Sequence, residues 1–197
     1  GNNSQLPGSE TDDNWTGQKS TAGDEAVAPG GDFNFFETPE TLANRICQTA
    51  GIERGDSVLE PSAGSGRIAT AAKHEGGVVE CVEVQPKLQS ELRKLGFAIV
   101  GENFLALRPN PRYASVVMNP PFTRCQDVEH IRHAWEFVRP GGSLVSVASS
   151  GVKYRSDKKT TAFRAWLQEV GGEVIDLPEG SFSESGTEVS TVLIVCR

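Results

Sequence analysis

The 197-residue chain is 37% apolar and 23% charged and carries a formal net charge of −7. That length supports one well-buried core and is short for two domains. No apolar run approaches the length of a bilayer span, and no charged-then-apolar signal segment opens the chain, so the expected location is the cytoplasm. The charge is unevenly spread. Residues 1–32 hold Glu10, Asp12, Asp13, Asp24, Glu25 and Asp32 against Lys19 alone, which accounts for −5 of the −7. This segment is also rich in Gly, Ser, Asn and Thr, and it reads as a flexible acidic tail or an expression remnant, with Trp15 as a docking point. Residues 33–197 read as a single domain, nearly neutral overall.

From residue 33 the pattern alternates helix and strand. TPETLANRICQTAG has Thr38 as the expected N-cap, Pro39 at the first helical position, Leu42, Ala43, Ile46, Cys47 and Ala50 on one apolar face, and Gly51 as the stop. Residues 57–60 read as a strand, a glycine-rich loop follows, and 68–73 form a short helix. Strands are expected at 78–84, 97–100 and 113–118, with a helix over 86–96 closed by Gly96. Val128, Ile131, Trp135 and Val138 line one face of a helix expected to end at Pro140-Gly141-Gly142. A fifth strand over 144–149, a helix over 161–170 and two closing strands complete the pattern.

Helices between strands imply right-handed crossovers. The expected fold class is α/β: a doubly wound, Rossmann-like, mostly parallel seven-stranded sheet with helices on both faces and an antiparallel edge pair at the C-terminus. Cys47, Cys81 and Cys196 fall in apolar-patterned elements, whereas Cys125 falls in a loop. With no Cys-x-x-Cys pair and only three histidines, neither a metal site nor a disulfide framework is expected.

Three features carry chemistry. Ligands of doubly wound sheets bind beyond the carboxyl ends of the strands. The first strand here ends in EPSAGSG, residues 60–66, where Gly64 and Gly66 permit close backbone approach to a ligand. Glu83 ends the second strand, where a carboxylate can accept hydrogen bonds from both hydroxyls of a ribose. The third glycine of the dinucleotide fingerprint is missing, so a single nucleoside fits better than a dinucleotide. After the fourth strand, Asn119-Pro120-Pro121-Phe122 forms a stiff loop, because each proline fixes φ and removes a donor. Such a loop is either a strand terminator with Phe122 in the core or a mount for one polar group. Finally, Lys153, Arg155, Lys158, Lys159 and Arg164 outweigh Asp157 in a basic segment that reads either as a solvated face or as a phosphate contact.

FFETPETL, VLEPSAGSG, CVEVQP, GENF, VVMNPPF and LPEGSFSESGTEVSTVLIV, in this order, resemble the class I S-adenosylmethionine-dependent methyltransferases. The resemblance is to the amino-methyltransferase branch that includes N6-adenine DNA enzymes, and it covers residues 33–197. It implies S-adenosylmethionine as cofactor, with Thr38 and Pro39 beside its methionine end. It further implies that Glu60, Pro61, Ser62, Ala63, Gly64 and Gly66 wrap the cofactor, Glu83 and Val84 meet the ribose, and Asn103 and Phe104 meet the adenine. The family usually has Asp where this chain has Asn103, whose side-chain oxygen can still accept from an adenine amine.

Asn119, Pro120, Pro121 and Phe122 would be the catalytic group. The Asn119 side-chain oxygen and the Pro120 carbonyl would accept the two hydrogens of an exocyclic amine, and Phe122 would stack on the base after it leaves the helix. The implied substrate is adenine N6 in DNA, with Arg124, Lys153, Arg155, Lys158 and Lys159 as nucleic-acid contacts. RNA-base and protein-glutamine methylation use a related tetrapeptide and stay open, as does a catalytically silent binding module. No segment is large enough to read a long DNA sequence. Specificity is therefore short or absent, or is supplied by a specificity subunit or a second copy.

Overall fold

The computed structural model describes residues 36–182 and 190–197. The acidic segment 1–32 with Trp15, and residues 183–189 within the closing motif, lie outside the described residues. In chain order the elements are α1 (Glu40–Ala50), β1 (Ser57–Glu60), α2 (Arg67–His74), β2 (Val78–Val82), α3 (Pro86–Lys94) and β3 (Ala98–Gly101). They continue with β4 (Tyr113–Met118), α4 (Gln126–Trp135), β5 (Val138–Ser149), α5 (Lys158–Glu169), β6 (Glu173–Asp176) and β7 (Thr191–Cys196). The seven strands make one sheet in the order β3-β2-β1-β4-β5-β7-β6. Every pairing is parallel except the two made by β7, which runs antiparallel to both β5 and β6. The expected architecture, including the antiparallel C-terminal edge pair, is the observed one.

All six residues of β4 are buried, as are all six of β7, because each strand has a helix layer or neighbouring strand on every side. The two-residue period still sorts the side chains. Val117 joins Leu42, Ile46 and Ile68 of α1 and α2 on one face, while Val116 and Met118 join Val128 and Ile131 of α4 and Phe163 of α5 on the other. Cys47, Cys81 and Cys196 are fully buried and Cys125 is half-buried.

The second strand ends at Val82 rather than 84, and α5 begins at Lys158 rather than 161; two further differences bear on packing and on the site. Helix α1 begins at Glu40, not Pro39, and Thr38 does not cap it: Pro39 occupies the N-cap position with φ −56° and ψ 146°. Thr38 precedes a proline and is kept out of the helical region, which leaves its hydroxyl to bond elsewhere. The second difference lies in Pro140-Gly141-Gly142, where the sequence pattern predicts a helix end. Helix α4 already stops at Trp135, and β5 starts at Val138, which pairs with Tyr113. The Pro-Gly-Gly run is an irregularity within β5, where the ladder shifts register before the Ser115–Ser143 pair. Gly141 has φ +75°, and a Cβ on Gly142 would stand 2.6 Å from the Ala114 carbonyl oxygen, so only glycine lets the two strands close up there.

Candidate active site

Strand β1 lies between β2 and β4, so the connections after β1 and β4 leave toward opposite faces and open a crevice at the carboxyl ends. The crevice is a cleft of about 380 Å³. Of the residues singled out in the sequence, Ser62, Glu83, Val84, Asn103, Phe104 and the whole of Asn119-Pro120-Pro121-Phe122 line it. Thr38, Glu60 and Ala63 surround a much smaller adjoining void, which shares Asn119 and Phe36 with the main cleft. Pro39, Pro61, Gly64 and Gly66 line neither space.

The loop after β1 is fastened through its backbone. Ala63 N–H donates to the Val82 carbonyl (3.0 Å), and Gly64 N–H donates to Glu83 Oε2 (2.8 Å). Gly64 and Gly66 have φ +53° and +82°, values that favour glycine, and a Cβ on Gly66 would meet Leu92 Cδ2 at 2.8 Å. Glu83 also accepts from Gln85 N–H at 2.8 Å through Oε1, so one amide fixes each carboxylate oxygen. Each oxygen retains a further lone pair for a hydroxyl donor.

Glu60, at the end of β1, is buried, and its Oε2 has no hydrogen-bond partner. Burial pushes this carboxyl well above the usual carboxylate range, and the nearby Glu83 charge adds to the rise. A buried, unpartnered carboxyl oxygen beside a small void is a seat for a proton donor or a cation.

The Asn119 amide is held from one side. Its Nδ2 donates to Thr38 Oγ1 at 3.1 Å and to the Phe36 carbonyl at 3.4 Å. Its Oδ1 is buried with no partner, which makes Oδ1 and Glu60 Oε2 the two buried side-chain oxygen or nitrogen atoms left unpaired among the described residues. Leaving such an acceptor unmade costs about 1–3 kcal/mol, and the bonds to Nδ2 prevent relief by rotation of the amide. Phe122 packs against the α1–α2 side of the core and also faces the cleft.

Just beyond, Arg124 and Cys125 adopt left-handed conformations, with φ +54° and +58°. This pair of non-glycine residues turns the chain into α4. Asp127, on the first turn of α4, is buried and accepts from Ser149 N–H at 3.0 Å, which ties the loop after β4 to the end of β5.

The basic segment lies beside this corner without lining the cleft. Lys153 pairs with Asp176 at 2.7 Å and Lys159 with Glu129 at 3.6 Å, both exposed. Arg155 donates to Cys125 Sγ at 3.1 Å, and Lys158 opens α5 behind its N-cap Asp157. Sequence reasoning missed Phe36, Gln85, Glu102, Leu105, Gln126 and His130, all of which line the cleft. Gln126 and His130 could have been found, because they share one face of α4 with the buried Asp127 turn at i, i+4 spacing. Phe36 and Leu105 carry no polar signal.

No protein-family model and no curated protein matches the sequence. Solved structures do match. A modification subunit from Vibrio vulnificus YJ016 aligns with a TM-score of 0.66 at 16% identity over 84% of this chain, and the type I restriction enzyme EcoKI M protein aligns with 0.66 at 20% over 82%. The 23S rRNA methyltransferase ErmE aligns with 0.62 at 19% identity over 83% of this chain and 69% of its own. The protein has the class I methyltransferase fold. It spans 45% and 44% of the length of the two modification subunits, so it corresponds to somewhat less than half of each.

Proposed function

We propose that this protein transfers a methyl group from S-adenosylmethionine to an exocyclic amino nitrogen, most directly N6 of an adenine in DNA. The observation that carries the reading is the buried, unpartnered Asn119 Oδ1 at the cleft, with its amide nitrogen tethered to Thr38 and Phe36. An amine conjugated to a ring is a weak nucleophile because its lone pair is delocalised. A fixed acceptor for one of its hydrogens favours the tetrahedral geometry in which that lone pair is free. The carbonyl of Pro120 would accept the other hydrogen, and the two prolines hold the acceptors still. Phe122 offers a face on which a flipped base can stack.

The donor set fits the proposed cofactor. Glu83 has lone pairs for two ribose hydroxyls, the glycine-shaped loop 63–66 leaves room for close approach, and the unpaired Glu60 oxygen beside Thr38 suits an ammonium group. When bound, S-adenosylmethionine supplies a methyl group already activated by its sulfonium charge. The protein's own part is alignment: Thr38 and Phe36 orient Asn119, and Phe122 fixes the plane of the base.

Adenine in DNA is favoured by the resemblance of the closing segment to modification subunits and by the similarity of the fold to two such subunits. In this reading a separate specificity subunit or a second copy reads the sequence, and Arg124, Lys153, Arg155, Lys158 and Lys159 contact phosphates. The test is incubation with methyl-labelled S-adenosylmethionine and separate pools of DNA, RNA and protein. The expected result is label in N6-methyladenine of DNA. Label in RNA or in glutamine redirects the substrate, and absence of transfer to all three overturns the enzymatic reading.

A further inference from the structure

We propose that His130 reads the adenine of the cofactor by accepting a hydrogen bond from its exocyclic amine at Nε2, an inference that rests on the cofactor site proposed above. His130 is the fifth residue of α4 and faces the same cleft as Glu83, Asn103 and Phe104. Its Nδ1 lies 2.9 Å from the Gln126 carbonyl oxygen. A carbonyl can only accept, so Nδ1 carries the proton, and in the neutral ring Nε2 then presents a lone pair. Burial pushes the imidazole below its usual value and so favours that neutral ring. No hydrogen bond to Nε2 is present among the described residues. The ring is stacked on Phe104, with centroids 5.9 Å apart and planes at 30°, and Phe104 is in turn braced edge-on by His133 at 4.8 Å. The position and tautomer of the acceptor are therefore both set before any ligand arrives.

The other acceptors of the cleft are differently placed. Glu83 is bound by two backbone amides at the end of β2, and Asn119 is anchored through Nδ2 to Thr38 and Phe36, beside the smaller void. Asn103 belongs to the same stretch as Phe104, but its side chain is exposed and makes no hydrogen bond among the described residues. An exposed amide can rotate to offer either a donor or an acceptor, so by itself it discriminates weakly between an amino and an oxo purine. A tethered, neutral imidazole nitrogen offers only an acceptor. It attracts an amine and repels a carbonyl oxygen at the same place.

The experiment compares calorimetric binding of S-adenosylhomocysteine with that of S-inosylhomocysteine, in which an oxo group replaces the amine. The wild type is expected to prefer the adenine form about tenfold or more, the worth of one buried hydrogen bond. His130→Phe keeps a ring for Phe104 and removes the acceptor, so the preference should fall to about twofold or less. His130→Gln, which restores an acceptor, should recover part of it, and Asn103→Ala should leave it in place. Full preference in His130→Phe, loss of preference in Asn103→Ala, or equal binding of the two ligands by the wild type would each overturn the role of His130. Failure of the wild type to bind S-adenosylhomocysteine at all would overturn the cofactor site itself, a distinguishable result. Far-UV circular dichroism on each variant confirms that the fold is intact.

Discussion

The loops after β1 and after β4 stand side by side at the same end of the sheet and are built by opposite means. The first, residues 60–66, uses glycines at positive φ and backbone amides bonded to Val82 and Glu83. The second, residues 119–125, has no glycine. Two prolines and two left-handed non-glycine residues shape it, and a side-chain amide anchors it to Thr38 and Phe36. Glycines clear space for something to approach the backbone, whereas prolines and strained residues hold a side chain in place. Each loop nevertheless leaves one buried oxygen unpaired, Glu60 Oε2 and Asn119 Oδ1, on the same small void. The carboxyl can answer its lack by taking a proton. The amide has no such recourse and must wait for a donor from outside.

Breaking the second loop should have the largest effect. Asn119→Ala is expected to raise the barrier to methyl transfer by ~2–4 kcal/mol, a loss of roughly thirtyfold to a thousandfold, while cofactor affinity holds. Single-turnover rates beside calorimetry check this, and equal rates would reduce the loop to a strand terminator. In the first loop, Gly66→Ala should destabilise the fold by ~1–3 kcal/mol, because the new Cβ combines an unfavourable φ with a collision against Leu92. Gly51→Ala is the matched control. That residue has φ +68° but nothing within 4 Å of its Cβ, so only the conformational part, about 1 kcal/mol, should appear in urea unfolding.

Thr38→Val sharpens the contrast by freeing the Asn119 amide without removing it. A rate loss of roughly fivefold to tenfold is expected, about the worth of one hydrogen bond, with Thr38→Ser close to wild type. Glu60→Gln asks whether the other orphan oxygen behaves as a titrating group. Its folded-state value is raised, so stability from the protonated acid is present below the ordinary carboxylate range and is lost as pH rises through the folded value. The substitution should therefore raise the melting temperature at pH 8, and the gain should shrink toward pH 4; a gain independent of pH would refute the buried acid. The smallest effect belongs to the exposed basic segment. Replacing Lys153, Arg155, Lys158 and Lys159 with Ala should flatten the salt dependence of DNA binding by up to ~0.9 in log–log slope per lost phosphate contact. An unchanged slope would make the segment a solvated face.

The strands were legible because their burial is patterned: β1 and β4 have the bounds expected from the sequence, 57–60 and 113–118. The opening of β5 was hidden, because Pro-Gly-Gly reads as punctuation and only the contact of Gly142 with Ala114 explains its place inside a strand. Thr38 before Pro39 looked like a cap on local grounds, and its real partner, Asn119, lies 81 residues away. Glu83 stood out by its place at a strand end, and Asn103 and Phe104 only through the family resemblance; His130 did not stand out, because the role proposed for it rests on stacking on Phe104 and on a tautomer set within its own helix. Spacing along the chain shows which side chains can share a face, but not which atom is left without a partner.

The position of β7 bears on how the chain can be made. It follows β6 in the chain, yet it lodges between β5 and β6, and all six of its residues are buried. Until Thr191–Cys196 have emerged from the ribosome, β5 presents the bare flank of Leu144–Ser149 that β7 will cover, and β6 has no strand to join. The sheet cannot be completed outward from the first strand in the order of translation; its last piece must be inserted into a gap. A nascent chain therefore carries an open, apolar sheet margin from the completion of β5 until β7 is in place, the interval in which edge-to-edge association with another unfinished copy competes with folding.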